Sequence, residues 1–236
     1  MVLRHGLKGA VNEMSTGESL QEVARKIAEA TGGFTGGPVE AFGKIGRYTL
    51  ESLQTVGLRP EHTVLDVGCG TLRLGYWLVR FLDPDRYFGL EPNKGYVRIG
   101  LEHAIGPELA AEKRPRFDYN ESFDFSPFGV HFDFVVARSI FSHASPRLVV
   151  RALESFRDNT SENAVMLASY KATTKADGDA EMINLKPHAG DWGWHRYSTA
   201  YLLRLAAERG LFAAKFGNPF NGQVWLHLSR KPLPDL

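Results

Sequence analysis

The residues best suited to chemistry gather around a short glycine turn. Val64-Leu65-Asp66-Val67-Gly68-Cys69-Gly70-Thr71-Leu72-Arg73-Leu74-Gly75 reads as a buried strand that ends in a turn, with a helix beginning at once. Glycines at 68 and 70 remove side chains that would hold a ligand off the backbone, and they permit unusual φ/ψ. A helix starting there offers unpaired N–H groups. The dinucleotide fingerprint G-x-G-x-x-G needs a glycine at position 73, where Arg73 stands, and the Gly-Lys-Ser/Thr of a P-loop is missing. The turn therefore suits a nucleoside-like ligand without the usual accommodation for a pyrophosphate. Glu91, followed by Pro92, closes the next strand at about the 20-residue spacing where an acidic side chain meets ribose hydroxyls in doubly wound folds. A carboxylate accepts two hydrogen bonds from a cis-diol and repels a phosphate.

Other residues carry a functional and a bland reading side by side. Asp66 either meets the ligand or caps the turn, and Arg73 either reaches a ligand carboxylate or lies on a solvated helix face. Cys69 is a small residue in a tight loop, with no persuasive base to make it a catalytic thiol. Asp133 is expected to support the end of a strand, and His131 to be structural at the sheet edge away from the ligand side. His143 follows the fourth strand at the carboxyl edge, where ligands bind in open α/β sheets; it is either a base or a satisfied loop histidine. Asp191, Trp192, Trp194, His195 and Tyr197 crowd the segment Lys186–Tyr197, which forms either an aromatic acceptor pocket or a packed loop. His188, Asp191 and His195 have metal-ligand chemistry, but such spacing is common by chance, and no metal is expected.

These residues need elements to position them. Leu20, Val23, Ala24, Ile27 and Ala28 mark a first helix, with Ser15-Thr16-Gly17-Glu18 as a capping box, and a glycine-rich loop follows from Thr31 to Pro38. A second helix spans about 39–56, stopped by Gly57 and Pro60. From Thr63 onward, apolar β-rich runs (Thr63–Val67, Tyr87–Leu90, Phe132–Ala137, Ala164–Tyr170, and more weakly Arg116–Tyr119) alternate with helical periods. That alternation predicts a parallel sheet covered by helices. After a helix capped by Ser198, Leu211–Gly217 and Gln223–Arg230 flank a turn-rich loop, Asn218–Gly222, and predict an antiparallel hairpin. The expected architecture is α/β: a doubly wound, seven-stranded, mostly parallel sheet with a C-terminal antiparallel hairpin and an N-terminal helical cap. Residues 1–56 form the cap or lid, and 57–236 the main domain with an insertion at about 171–197.

At these residues the chain resembles the class I S-adenosylmethionine-dependent methyltransferases. Asp66, Gly68, Cys69 and Gly70 match the first motif, Glu91 the acidic second motif, and Phe132–Ala137 the fourth, over about Thr63 to Ser145. Leu72 departs from the pattern, since many members have a third glycine there, and Cys-Gly-Thr-Leu-Arg-Leu-Gly looks like a bacterial small-molecule subgroup. The resemblance implies S-adenosyl-L-methionine as cofactor and S-adenosyl-L-homocysteine as product. It implies the methionine moiety over Gly68–Gly70, the ribose on Glu91, and the adenine near Asn120–Phe125, with Phe123 a ring contact and Asn120 or Ser122 a polar one. Ala137 and Ser139 would line the sulfonium side. A hydroxyl acceptor needs its proton removed, for which His143 is the first candidate and His195 the second.

Composition narrows the partners. The chain has 236 residues, with 28 Lys plus Arg against 27 Asp plus Glu and a net charge of +1. Such a balance argues against a dedicated nucleic-acid binder. One cysteine leaves no internal disulfide framework, and no apolar run approaches the ~20 residues of a membrane span. Met1–Ala10 has no apolar stretch after its basic residues, so a secretion signal is not expected. Ala137-Arg138-Ser139-Ile140 stands where amino-group methylases of bases or glutamine carry Asn/Asp-Pro-Pro-Tyr. We expect a cytoplasmic enzyme transferring methyl to a hydroxyl or amine of a small molecule. The alternatives are RNA or protein as acceptor, or a cofactor-binding protein that transfers nothing. Phe123, Phe125 and Phe128 serve either the core or a homodimer contact.

Overall fold

A computed structural model describes residues 19–32, 39–173, 180–184 and 192–233. The first helix, α1 (Leu20–Thr31), is capped by Ser19, whose side chain accepts from the Glu22 amide. The expected cap at Ser15–Glu18 lies outside the described residues. A short 3-10 turn, Val39–Ala41, leads into α2 (Phe42–Thr55). Then follow β1 (Val64–Val67), α3 (Gly75–Phe81), β2 (Tyr87–Leu90), α4 (Lys94–Gly100), α5 (Pro107–Lys113), β3 (Arg116–Asp118), β4 (Phe132–Ala137), α6 (Pro146–Asp158) and β5 (Thr160–Tyr170). The chain ends with β6 (Ala180–Asn184), β7 (Trp194–Tyr197), α7 (Thr199–Ala207), β8 (Phe212–Phe220) and β9 (Gln223–Ser229).

Seven strands form one sheet in the order β3-β2-β1-β4-β5-β9-β8. Only β9 runs against its neighbours. The predicted doubly wound sheet with its C-terminal hairpin is therefore what forms. Buried strands alternate their residues between two cores. Leu65, Val67, Val135 and Ala137 face α6 and α7, while Val64, Val136 and Leu167 face α1–α4. Phe123, Phe125 and Phe128 pack into the first core beside Phe132, which decides between their two readings.

Several local expectations change. No helix begins directly after Gly70: residues 70–74 form turns, and α3 starts at Gly75. Leu72 there has φ +61°, the left-handed backbone for which a glycine is the easy solution. Its side chain is fully buried, in space left by the missing side chains of Gly75 and Gly100. The hairpin turn is shorter than predicted, because β8 continues to Phe220 and Asn221-Gly222 alone reverse the chain. Both have positive φ, +52° and +68°, as a type I′ turn requires. The 171–197 insertion holds an unpredicted two-stranded antiparallel sheet of β6 and β7. The expected N-terminal cap shares a core with the sheet: Val23, Ile27, Phe42, Leu50 and Leu53 are buried with Val64, Leu78 and Phe134. No helix among the described residues is long and apolar enough to cross a membrane.

Candidate active site

The carboxyl ends of β1, β2 and β4 open onto a crevice built around one cross-strand tie. The Gly70 amide donates to Glu91 Oε2 at 3.1 Å, and the Asn93 amide donates to Glu91 Oε1 at 2.9 Å. Two of the carboxylate's roughly four lone-pair directions remain for a ligand. Gly68 has φ +69°, and a Cβ there would stand 2.1 Å from Ile140 Cδ1. The turn is thus shaped by backbone that has no room for a side chain. Ile140 divides the crevice into two adjoining cavities, of about 230 and 320 Å³, which share Gly68, Glu91 and Ile140.

The larger cavity is lined by Leu90, Pro92, Asn120, Glu121, Phe123 and Trp192. Phe123 and Trp192 meet edge to face with ring centroids 5.5 Å apart. Asn120 is there, but its side chain is spent on its own loop. Its Nδ2 donates to Asp118 and to the Asp124 carbonyl, and its Oδ1 accepts from the Ser122 and Asp124 amides and the Ser122 hydroxyl. Ser122 lines neither cavity, and Ala137 is fully buried in the sheet.

The smaller cavity takes Asp66, Cys69, Gly70 and Arg73 from the turn and helix side, and Arg138, Ser139 and His143 from the loop after β4. Ile45, Gly46 and Thr49 of α2 close it from above. His143 leans on Trp194, with centroids 4.4 Å apart, and Lys171 Nζ lies 4.4 Å from the same indole. His195 is 2% exposed, and neither ring nitrogen reaches a hydrogen-bond partner. Tyr197 is buried beside it and donates its hydroxyl to the Ala144 carbonyl at 2.5 Å. Neither lines either of these two cavities. Asp191 and His188 lie outside the described residues. Asp133 Oδ2 accepts from the Thr63 amide and hydroxyl at the opposite end of β1, which is the supporting role expected of it.

Comparison with known proteins bears on what this crevice is for. A family described as "Methyltransferase domain" matches residues 65–166. Over those residues the chain is similar to a methyltransferase domain. No curated protein matches it in sequence. Among solved structures, the glycopeptide N-methyltransferase MtfA complexed with S-adenosyl-L-methionine is 14% identical, with TM-score 0.60 over 81% of this chain and 94% of that one. The DhpI–SAH complex is 16% identical, with TM-score 0.62 over 91% and 97%. Magnesium protoporphyrin IX methyltransferase (ChlM) from Synechocystis PCC 6803 with bound SAH is 18% identical, with TM-score 0.59 over 88% and 93%. At such identities these matches establish the fold alone.

Charge in the crevice is set by burial. Burial pushes Asp66 up to about 7, although Tyr87 donates to its Oδ2 at 2.9 Å; Glu91 nearby raises it further. Glu91 itself is raised by burial and partly held down by its two amides. Burial sends the Cys69 thiol well above its usual range, so it is no thiolate nucleophile. Burial lowers His143, with Lys171 and His195 adding to it. Arg73 is lowered to about 10 by burial and by Arg138, and Arg138 to about 10 by burial.

Several residues in the crevice wall and behind it were not singled out from sequence. Ser169 and Gln223, both buried, link Arg138 and Ser139: Arg138 Nη1 and the Ser139 amide donate to Ser169 Oγ at 2.9 and 2.6 Å. Ser169 donates to Gln223 Oε1, and Gln223 Nε2 donates to Ser139 Oγ, each at 2.6 Å. The one available signal was polar residues inside otherwise apolar strands.

Proposed function

We propose that the crevice binds S-adenosyl-L-methionine and that the enzyme passes its methyl group to a hydroxyl or amine of a small molecule. The observation that carries this reading is the Glu91 carboxylate at the junction of the two cavities, tied to Gly70 and with acceptor capacity left for a cis-diol. In this reading Glu91 takes the ribose. Pro92, Asn120, Phe123 and Trp192 enclose the base in the apolar cavity, with Ser122 bracing Asn120 from behind. Gly68, Cys69, Gly70, Asp66 and Arg73 hold the methionine portion in the other, where Ser139 approaches from the loop after Ala137. When bound, the sulfonium supplies an electrophilic methyl group that needs no metal assistance.

The protein's share is alignment, exclusion of water and proton handling. Ile45, Gly46 and Thr49 of the helical cap cover the smaller cavity, a lid in position to keep water out. His143, half-buried there and held neutral at pH 7 by its surroundings, is placed to take a proton from an acceptor hydroxyl. Trp194 lies against it at the rim, available to an acceptor. His195 and Tyr197 brace that wall from behind. Near-neutral net charge and the small volumes support a small acceptor over RNA or a protein. The test is calorimetry with S-adenosylmethionine, S-adenosylhomocysteine and NAD in parallel, followed by acceptor screening with S-adenosylhomocysteine as the detected product. Binding of NAD in place of the other two would overturn the reading. Salt-sensitive RNA binding would move the acceptor to nucleic acid.

A further inference from the structure

The smaller cavity holds more positive charge than the proposed cofactor accounts for. Arg73 and Arg138 both line it, close enough that Arg138 weakens the hold of Arg73 on its proton. The cavity's own acids do not answer Arg138. Glu91 accepts from two backbone amides, its remaining acceptor capacity being assigned to the ribose, and Asp66 accepts from Tyr87. Among the described residues, no salt bridge reaches Arg138.

The Arg138 guanidinium is nonetheless held in place. Nη1 donates to Ser169 Oγ at 2.9 Å, Nη2 makes a long 3.4 Å bond to the Phe220 carbonyl, and the group lies over Trp225 at 5.3 Å. Ser169 is itself fixed by Gln223, so buried polar side chains from β5 and β9 orient this cation together with the neighbouring Ser139. A purely structural pin would use its donors. Here Nε is buried without a partner, and the fork of five N–H donors is mostly unspent. A preorganised guanidinium in a low-dielectric wall is the group that recognises carboxylates.

We propose that the methyl acceptor carries a carboxylate, and that Arg138 is the specificity-determining residue that anchors it in the cavity lined by Ser139 and His143. This rests on the cofactor reading above, in which the methionine carboxylate belongs to Arg73 and leaves Arg138 for a second anion. The acceptor's carboxylate then lies beside the loop that presents His143.

The experiment uses full-length protein saturated with S-adenosylhomocysteine and matched neutral and anionic probes: benzoate against benzamide, and butyrate against butyramide. Calorimetry is expected to show each acid binding at least about tenfold tighter than its amide. In Arg138→Gln the preference should collapse to within about threefold, while Arg138→Lys, which keeps the charge but loses the fork, should retain part of it. Affinity for S-adenosylhomocysteine should not follow either substitution. Acids that bind no better than amides to the native protein overturn the inference, whether or not the variants fold. A parallel loss of S-adenosylhomocysteine binding in Arg138→Gln also overturns it, by assigning Arg138 to the cofactor. Native protein that binds no S-adenosylhomocysteine sinks the cofactor reading first, and this one with it.

Discussion

The Gly70 amide and the Glu91 carboxylate, 21 positions apart in sequence, meet at 3.1 Å across the ends of β1 and β2. This bond fixes the glycine turn against the acidic group that the turn is meant to serve. It also places a partly buried carboxylate between two cavities, with no cationic partner among the described residues and its charge supported by backbone amides. Glu91→Gln keeps the shape but replaces one acceptor oxygen with a donor facing the diol and the Gly70 or Asn93 amide. Affinity for S-adenosylhomocysteine should fall by about 1.5–3 kcal/mol, the usual worth of hydrogen bonds to a charged group. Calorimetry on a variant with native melting behaviour checks this, and unchanged affinity would remove Glu91 from the ribose site.

Gly68 and Ile140 are complementary in shape. Gly68→Ala adds a methyl group that would lie 2.1 Å from Ile140 Cδ1, on a backbone with φ +69°. The substitution should cost about 1–3 kcal/mol in denaturant unfolding. Ile140→Ala in the same chain should recover the clash and leave the smaller backbone strain. Simple additivity in that double-mutant cycle would show that Ile140 does not press on the turn.

Asp66 makes stability depend on pH. Its carboxyl is raised by burial from 3.8 to about 7, so the native state keeps a proton that the unfolded chain has already lost between those values. The native state binds more protons in that window, and stability therefore falls as pH rises from about 4 to about 7, by up to about 4 kcal/mol, and levels off above. Asp66→Asn can still accept from the Tyr87 hydroxyl and should remove this slope. Melting temperatures across pH for the native and Asn forms should converge at the acid end and separate near neutrality, with the Asn form higher. Parallel curves would count against a protonated Asp66.

His143 is the proposed base, and its pKa lies below the ordinary 6.5 because of burial and nearby Lys171. Activity towards a hydroxyl acceptor should be lost as pH falls through that lowered value, giving an acid limb in kcat/KM below 6.5. His143→Ala should reduce turnover by about 10²–10⁴-fold and abolish that limb. His195→Ala, which empties a buried position, should act on stability more than on turnover. Unchanged turnover with both histidines replaced would dismiss the assignment.

Legibility from sequence followed locality. The strand, the turn at Gly68–Gly70 and Glu91 could be read because a buried strand needs a continuous apolar run and a ligand-facing turn needs backbone free of side chains. Both are written in neighbouring residues. The Asn221-Gly222 reversal was equally local, yet the wider cluster Asn218–Gly222 concealed it, since every residue of that cluster except Phe220 is a turn former. Histidines near the carboxyl edge could be ordered only by their expected place after the strands, His143 before His195. His143 lines the smaller cavity while His195 is buried away from it, and neither is a property of spacing.

What the sequence determined alone is the class of the sheet and its winding, because hydrophobic period and turn chemistry act over a few residues. What the tertiary structure decided is the composition of the walls. Arg138 meets Ser169 and Phe220, Trp192 meets Phe123, and α2 arrives over the cavity from more than a strand's length away in sequence. Those meetings depend on strand order and on how each helix packs on the sheet, where burial of whole faces, rather than any local preference, selects the neighbours.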